Sequence, residues 1–594
     1  MLLNDIQVPA TGIVLILITA LKLLLIPSYK STDFDVHRNW LAITHHIPLS
    51  QWYYNDVDGT TVHTLDYPPS FAFFEYFLSN NYITQSLIKH RYLDDRCFAL
   101  LPDDDNEVGL DCVIFHRCTV IFADVVFLLG AWALGQALHH KNEDKYDHAD
   151  KKRRWCTLLV VTNSGLILLD HIHFQYNGMM LGILLASLAC LTQSMKITSS
   201  SSTTATCRAQ RIILELLGAI FFALLLTFKH LYLTLAPMYF FYLLRRFCFR
   251  DITGTGTCSE DTGGKKKALL GGVGGAGSNV EEPNNSTNAT RGKGRVIFSF
   301  SRLVLLGSTV LVTVCMPFSL FLTEGKDQMV QMLSRLFPFQ RGLCHDYWAG
   351  NIWAMYLFAE KVCSFASRIH PTLDNIIPSP FPKITPAMTA ILLLIGLLPA
   401  MQCAYLAASS SSLNPAARQE VILYCTVYSS ITSFMLAYHV HEKAIMTAVI
   451  PMTYLAFRSR EGARLFLRMS ALGHFGLMPL LFRPTELLLK ALLNSSYFVL
   501  CVFILEMVHN SKEHADEQDS SSTRNGLLLR LDKISLVVMT SVSIYIEILH
   551  EAIFGSEKFE FIPLMLTSLC CAVGLFGCWI QCGITMYRTT KQSS

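Results

Sequence analysis

Charged residues are scarce in this sequence. They occupy 16% of its 594 positions, whereas soluble domains carry about 25%. Common enzyme signatures are also missing, since the 18 cysteines include no CxxC pair. A zinc-peptidase motif starting at His441 would need histidine where Ile445 stands. A Walker A loop ending at Lys265 would need glycine in place of Ser259. The sequence therefore gives no support for a zinc peptidase or an ATP-driven pump.

Long apolar runs account for the missing charge, because 52% of the residues are hydrophobic. A helix needs roughly 20 apolar residues to cross a bilayer, and lipid cannot satisfy an open backbone. We therefore predict an all-α integral membrane protein with about 14 transmembrane helices. The predicted spans are 10–28, 113–138, 155–170, 178–193, 211–228, 231–247, 297–322, 385–407, 419–438, 443–457, 464–482, 485–508, 532–552 and 561–586. The first run lacks a basic leader and an obvious cleavage site, which indicates a retained span.

Basic residues in four segments predict the orientation, because such residues are enriched in cytoplasmic loops. The segments are 139–154, 245–296, 458–464 and the tail that contains Arg588 and Lys591. Both termini are then cytoplasmic, and 351–367 does not cross fully. Of the segments that fall on the opposite, lumenal side, four are of interest, namely 29–112, 171–177, 323–384 and a turn near 439–443.

Composition divides the chain into two predicted membrane modules, 1–250 and 296–594. The linker between them, 251–295, is rich in Gly, Ser, Thr and Asn and has no apolar period. Such a segment cannot bury enough apolar surface to fold, so we predict a disordered cytoplasmic linker.

The first lumenal loop opens with two carboxylates, Asp33 and Asp35. A carboxylate at a membrane surface can act as a general base toward a sugar hydroxyl. Two plainer interpretations stay open. Asp33 could cap a helix that begins at Phe34, and Asp35 could pair with Arg38 one helical turn later.

Further along this loop, Asp66 and Tyr67 precede a double proline at 68–69, which forbids regular helix there. Aromatic residues suit the faces of sugars, but they also populate membrane interfaces. Cys97 and Cys112 could form a disulfide if the loop is lumenal.

A second polar segment, 170–177, directly follows an apolar run and contains Asp170, His173 and Gln175. Its His-x-His pattern could suggest a metal. A metal site needs three or four ligands, however, and nothing adjacent supplies the others. Solvated polar groups at the end of a span are the plainer interpretation.

Two further segments carry cations beside aromatic or apolar residues. Segment 335–342 combines arginines with aromatics, which suits a lipid phosphate or an ordinary interfacial helix. Segment 438–443 interrupts two apolar runs with ionisable residues, which are costly in membranes and usually functional. Its His441 and Lys443 could hold a phosphate, or the segment could be a solvated turn.

Taken together, five stretches resemble one family, the dolichyl-phosphate-glucose-dependent glucosyltransferases that finish the lipid-linked oligosaccharide for protein N-glycosylation. The stretches are STDFDVHRNWLAITHHIPLSQWYY, LDYPP, DHIHFQYNG, RLFPFQRGL with DYWAGN, and HVHEKA. They occur in family order from residue 31 to about residue 446. The resemblance implies the multi-spanning GT-C glycosyltransferase fold, an endoplasmic reticulum membrane location and a lumenal active site. It also implies inverting transfer from a β-linked glucosyl phosphate to an α-1,3 linkage.

The resemblance also implies residue roles. By position, Asp33 is the general base that takes the proton of the acceptor hydroxyl. Acceptor binding or loop positioning is implied for Asp35, His37, Arg38, Trp40, Asp66, Tyr67, Asp170, His173 and Gln175. Binding of the donor phosphate, where negative charge develops, is implied for Arg341, His439, His441 and Lys443. We expect no metal and no cofactor, because these fixed cations stand near the phosphate.

The expected partners are two lipid substrates in the membrane, dolichyl-phosphate-glucose and Glc1Man9GlcNAc2-PP-dolichol, with no nucleic acid. The opening STDFDVHRNWLAITH and the stretch RGLCHDYW look more like the family members that add the second glucose. The first-glucose members typically have Gly-Asp-Phe-Glu-Ala-Gln-Arg-His-Trp, with Glu where this chain has Asp35. A first-glucose enzyme acting on Man9GlcNAc2-PP-dolichol is the alternative. A secondary transporter is a further alternative, but transporters usually show internal repeats, and none is evident.

Overall fold

A computed structural model describes residues 11–54, 63–100, 108–139, 146–197, 205–252, 295–323, 325–337, 339, 342–344, 348–369, 381–409, 414–516, 526–555 and 558–592. These residues are almost wholly helical, which confirms the predicted all-α membrane class. Residues 253–294, most of the predicted linker, lie outside the described residues.

The first half of the chain contains ten α-helices and one strand among its described residues. They are α1 (Thr11–Leu24), α2 (Thr32–His46), α3 (Pro69–Asn80), α4 (Tyr82–Lys89), α5 (Leu110–Leu138), α6 (Tyr146–Val161), α7 (Ser164–Leu166), α8 (Asn177–Ile197), α9 (Ala205–Phe228), α10 (Ala236–Leu243) and β1 (Phe249–Ile252).

The second half begins with a strand and continues with eleven helices in the part that the structure describes. They are β2 (Arg295–Phe298), α11 (Phe300–Leu322), α12 (Lys326–Leu336), α13 (Ile352–Ile369), α14 (Pro386–Ser409), α15 (Pro415–Leu436), α16 (Met446–Ala456), α17 (Arg460–Leu477), α18 (Leu487–Asp516), α19 (Arg530–Ile544), α20 (His550–Phe554) and α21 (Phe561–Gln592).

Among the described residues, nine helical stretches are long and apolar enough to cross a membrane. They are Leu110–Leu138, Asp150–Ile172, Asn177–Ile197, Ala205–Phe228, Phe300–Leu322, Pro386–Ser409, Pro484–Asn510, Arg530–Phe554 and Phe561–Gln592. The described residues of the other predicted spans, 10–28, 231–247, 419–438, 443–457 and 464–482, are largely helical, but these helices are shorter or less apolar.

The less apolar spans lie inside the bundle, which explains their composition. Nearly all of α15 and all of α16 are buried. Polar side chains are tolerated there because they bond to neighbouring helices. The Gln419 amide, for example, donates to the carbonyls of Ala137 at 3.2 Å and Thr192 at 3.0 Å.

Two small residues allow α5 and α8 to cross closely. A Cβ on Gly182 would stand 2.6 Å from the Cα of Phe127, and a Cβ on Gly130 would stand 2.8 Å from the carbonyl carbon of Gly182. Glycines of this kind let helix backbones approach in membranes. The crossing brings the start of α8 against α5, and the polar segment 170–177 therefore lies against the middle of α5.

The structure corrects two local predictions. β1 and β2 pair antiparallel, so residues 251–252 and 295 belong to a ribbon and not to the predicted disordered linker. The double proline does not exclude helix, because Pro69 is the first residue of α3. Proline is tolerated at that position, where its missing N–H would have no partner.

The two modules also meet outside the bundle. Helix α12 lies on the first loop, where Gln328 donates to the carbonyl of Leu49 at 3.0 Å and Gln331 to that of Tyr53 at 3.3 Å. A disulfide joins Cys97 to Cys112, with Cα atoms 5.5 Å apart, and ties the end of this loop to the first turn of α5.

We predict that Gly182→Ala lowers the thermal stability of the protein. The added methyl meets backbone atoms of α5, which cannot rotate away, and such overpacking costs about 1–3 kcal/mol. Gly307→Ala is the matched control, because a Cβ there has no atom within 4 Å. The apparent melting temperature in detergent should fall for Gly182→Ala only. Equal melting temperatures for the two variants would contradict the close crossing.

Candidate active site

Asp33 lies in the first turn of α2, a helix outside the membrane spans. Ser31 occupies the N-cap position with extended backbone, so the alternative that Asp33 caps the helix is wrong. The helix ends at His46 because Ile47 precedes a proline and takes an extended conformation. The Asp33 carboxylate is thereby left to bond with other segments.

Three side chains from two distant segments meet at one oxygen of this carboxylate. Gln175 Nε2 donates to Asp33 Oδ2 at 2.5 Å, and His173 Nε2 lies 3.2 Å from it. Lys443 Nζ lies 2.5 Å from the same oxygen. Within the described ranges, no residue donates to Oδ1. The Asp33 side chain is 23% exposed, so a ligand can reach it.

The surroundings keep Asp33 ionised. Burial alone would raise the pKa of its carboxyl, but the charge of Lys443 and the hydrogen bond from His173 outweigh burial and hold that pKa well below its usual range. Burial, assisted by the charge of Lys443, lowers the pKa of His173. His173 is therefore a neutral donor at pH 7, and Lys443 is the charged partner of the carboxylate.

The segment that carries His173 and Gln175 is fixed by Asp170. The Asp170 carboxylate accepts the backbone N–H groups of Asn177 at 3.1 Å and Gly178 at 2.6 Å. These are free donors at the start of α8, and a buried carboxylate satisfies them well. Asp170 thus caps a membrane helix next to the site.

Arg117 on α5 also holds this segment in place. Its buried guanidinium donates to the carbonyls of His171 at 2.6 Å and Ile172 at 2.8 Å. It also donates to the carbonyl of Tyr29 at 2.8 Å, just before α2. A guanidinium has five donors in a fixed plane, so one side chain sets the spacing between the two backbones that present Asp33 and His173.

A second buried cluster lies beside this arginine. Asp124 on α5 accepts Lys22 at 2.6 Å and His171 at 3.0 Å. Asp124, Lys22, His171 and Arg117 were not predicted as site residues. The sequence did contain a signal for most of them, since ionisable residues within a predicted span are nearly always paired with one another.

The first loop and the end of α9 bring further polar residues near Asp33. Lys229 Nζ lies 4.9 Å from the centre of the Tyr67 ring and 3.2 Å from Asn177 Oδ1. Asp66 is close enough to act on the charge of Lys229. Of these residues, Asp66 and Tyr67 were predicted and Lys229 was missed. As a single lysine at the end of an apolar run, it is indistinguishable by sequence from one that extends to the interface.

Two predicted residues, His37 and Trp40, are buried supports of the first loop. His37 Nδ1 pairs with Glu75 at 2.9 Å, inside a cluster of aromatic rings. Trp40 donates to the carbonyl of Thr64 at 3.0 Å. Of these residues, Glu75 was not predicted from the sequence.

The remaining pair of α2, Asp35 and Arg38, lies one helical turn apart. Asp35 is exposed and Arg38 is buried. Burial lowers the pKa of Arg38, and the charge of Asp35 partly offsets this effect. The predicted interaction within the helix is therefore present.

The break between α15 and α16 presents Lys443. His439 has a positive φ of 53° and bonds back to the chain at 342–343, with Nδ1 at 2.7 Å from the carbonyl of Gly342. The rings of His439 and His441 are 5.6 Å apart. Glu442 is buried, which raises its pKa. Arg341, predicted to bind phosphate, lies outside the described residues.

One trio of residues has the spacing of a metal site in the described part of the chain, namely Cys97, Cys112 and His116. Both of its sulfurs form the disulfide, and a metal ligand must be a free thiolate. His116 packs between that disulfide and the rings of Phe34 and Phe174, which follow Asp33 and His173 in sequence. The trio therefore packs against residues next to Asp33 and His173 and does not have the free thiolates of a metal site.

The arrangement suits proton abstraction at a membrane surface. Among the described residues, an ionised carboxylate has one oxygen bound by three donors, while the other oxygen accepts no hydrogen bond. One cation pairs with the carboxylate, and a second cation, Lys229, is close enough to act on its charge. A hydroxyl group placed at Oδ1 could lose its proton to Asp33, and an anionic group nearby would meet the lysines.

Comparison with known proteins matches residues 18–582 to the ALG6, ALG8 glycosyltransferase family. A protein of Bos taurus named dolichyl pyrophosphate Glc1Man9GlcNAc2 alpha-1,3-glucosyltransferase is 33% identical over 95% of this chain and 93% of its own length. Proteins of the same name from Mus musculus and Arabidopsis thaliana are 33% and 32% identical, each over 95% of this chain and over 93% and 95% of their own lengths. The chain belongs to the ALG6, ALG8 glycosyltransferase family, and it is a multi-pass membrane hexosyltransferase.

Proposed function

We propose that this enzyme transfers the second glucose, from dolichyl-phosphate-glucose to Glc1Man9GlcNAc2-PP-dolichol, in an α-1,3 linkage. The names of its relatives support this acceptor. The observation that carries the chemistry is the state of Asp33, whose Oδ2 is bound by Gln175, His173 and Lys443 while no described residue donates to Oδ1.

In the proposed reaction, the acceptor hydroxyl gives its proton to Asp33 Oδ1. The hydroxyl oxygen attacks the anomeric carbon of glucose from the side opposite the phosphate. The bond between that carbon and the phosphate oxygen breaks, and its electron pair stays on dolichyl phosphate. A single displacement inverts the β-linked donor to the α-linked product, and one base suffices for it.

Lys443 couples the two halves of this step. Before transfer it pairs with ionised Asp33. As Asp33 gains the proton its charge disappears, while the phosphate gains one negative charge. Lys443 can then stabilise the leaving phosphate, with His439 and His441 from the same turn. Stabilisation that appears only as the charge develops speeds the chemical step.

We further propose that the site faces the lumen of the endoplasmic reticulum and that both termini are cytoplasmic. The basic loops support this orientation. The Cys97–Cys112 disulfide also supports it, because disulfides persist in oxidising compartments. In the proposed reaction no metal and no cofactor takes part.

The first prediction concerns the base. Asp33→Asn should lower kcat by about 10²- to 10⁴-fold, because the amide cannot accept the proton. The measurement is hexose transfer from synthetic dolichyl-phosphate-glucose by purified enzyme, with thermal unfolding as a check on folding. Asp327→Asn is a suitable control, since Asp327 is an exposed acid in the first turn of α12. Full activity of folded Asp33→Asn would refute the base assignment.

The second prediction concerns the acceptor. The enzyme should add hexose to the Glc1Man9GlcNAc2 lipid and not to the Man9GlcNAc2 lipid, each supplied separately at equal concentration with mass-spectrometric detection. Preference for the Man9 lipid would identify a first-glucose enzyme. Transfer to neither lipid by folded protein would count against the proposed reaction as a whole.

The third prediction concerns pH. Without Lys443, the effect of burial, which raises the pKa of Asp33, is opposed by His173 without the largest of the effects that lower that pKa. A carboxyl with a higher pKa is protonated at higher pH, so the acid limb of the kcat/KM profile should shift to higher pH in Lys443→Met. Measured profiles with coincident acid limbs would mean that Lys443 does not control the base.

A further inference from the structure

Lys229 is a second, half-buried cation near Asp33 that the proposed reaction does not use. It follows the last residue of α9, where a helix long and apolar enough to cross a membrane ends. Its Nζ donates to Asn177 Oδ1 at 3.2 Å and stands 4.9 Å from the centre of the Tyr67 ring. An ammonium has three donors, and an amide oxygen and a ring face leave part of that capacity unused.

The electrostatic surroundings of Lys229 favour the binding of an anion. In the part of the chain that the structure describes, no carboxylate lies within ion-pair distance of its ammonium. Burial, with the charge of Lys443, lowers the pKa of Lys229 to about 8, although Asp170, Asp33 and Asp66 act to raise it. An uncompensated buried charge is costly, and a bound anion would offset that cost.

Lys443 cannot fill the same role in the resting enzyme, because ionised Asp33 holds it at 2.5 Å. The donor enters the site as a phosphodiester with one negative charge. Until Asp33 is protonated, another cation must balance that charge. Lys229, close enough to Lys443 for the two charges to repel, meets this requirement.

We propose that Lys229 binds the phosphate of the glucosyl donor in the ground state, whereas Lys443 engages that phosphate only as the sugar leaves. This inference rests on the proposed function. According to this proposal, the two lysines act at different stages of the reaction. Ground-state binding appears in the KM of the donor, and stabilisation confined to the transition state appears in kcat.

A purely structural role for Lys229 is the competing explanation. Its bond to Asn177 and its contact with Tyr67 could simply hold the first loop against α8. Loss of such a support would lower stability or kcat without a selective effect on the donor. If Lys229 were only such a support, Lys229→Arg, with its larger guanidinium, would be no more active than Lys229→Met.

The test uses the full-length enzyme with Lys229→Met, Lys229→Arg, Lys443→Met and Lys361→Met. Lys361 is the matched control, because its ammonium also stands over aromatic rings, 5.7 Å from Trp348 and 5.3 Å from Phe561. The donor KM, the acceptor KM and kcat are measured for each variant. Farnesyl phosphate is titrated as a competitor, since it carries the phosphate without the glucose.

We expect Lys229→Met to raise the donor KM and the inhibition constant of farnesyl phosphate by about 10- to 100-fold, as for loss of a hydrogen bond to a charged group. Its kcat and acceptor KM should stay within a few-fold. Lys229→Arg should recover most of the loss, and Lys443→Met should lower kcat with little change in donor KM. Lys361→Met should match the wild type.

The pH profile adds an independent readout. The donor KM of the wild type should rise above about pH 8, where Lys229 loses its proton. The Arg variant stays protonated throughout, so this rise should disappear. The groups that face Lys229 and could distort the profile are Asp33, Asp66, Asp170 and Lys443.

A lowered kcat with an unchanged donor KM in Lys229→Met would overturn the inference, as would an increase confined to the acceptor KM. These outcomes differ from failure of the proposed function. That failure would show as absence of hexose transfer by the wild type, or as full activity in Asp33→Asn. A working transferase that needs Asp33 and ignores the charge at 229 would refute this inference alone.

Discussion

The site depends on one ion pair, between Asp33 in the first loop and Lys443 between two central helices. The partners are 410 positions apart in sequence and belong to different predicted modules. Both are largely withdrawn from water, and removing one partner of a buried pair costs about 3–5 kcal/mol. The pair therefore favours the arrangement in which the first loop closes onto the C-terminal half. It also explains why α15 and α16 are separate helices, since a continuous helix would not leave 442–445 as the turn that presents Lys443.

A second set of contacts holds the backbone around this pair. Arg117 bonds three carbonyls next to Asp33 and His173, and Asp170 caps α8. These bonds involve groups that water would otherwise satisfy and lipid cannot. The polar residues beneath the site thus complete the backbone hydrogen bonding where the helices break. Their rigidity matters for chemistry, because a base must stay within hydrogen-bond reach of the proton that it removes.

Sequence reasoning performed differently for different parts of the molecule. Membrane helices follow from local hydropathy, so the class was predictable, and the buried α15–α17 were found because even their lower hydropathy exceeds that of loops. The resemblance to the family identified Asp33, His173, Gln175 and Lys443 as site residues. Nothing in their spacing predicts that His173, Gln175 and Lys443 all contact Oδ2 of Asp33. Lys229, Arg117 and Glu75 were missed. Each is a single charged residue in apolar sequence, and its role depends on which distant group it faces, which local pattern does not encode.

The difference in charge between the donors at Asp33 has a chemical consequence. His173 and Gln175 are neutral, and only Lys443 is charged. A second full positive charge on the same oxygen would lower the pKa of Asp33 further and make it a weaker base. Neutral donors fix the orientation of the carboxylate without that loss of basicity. In the proposed reaction, the single cation can follow the negative charge as it passes from Asp33 to the departing phosphate, so the site carries the same net charge before and after transfer. A buried site pays no large desolvation cost for such a step, because no uncompensated charge is created within it.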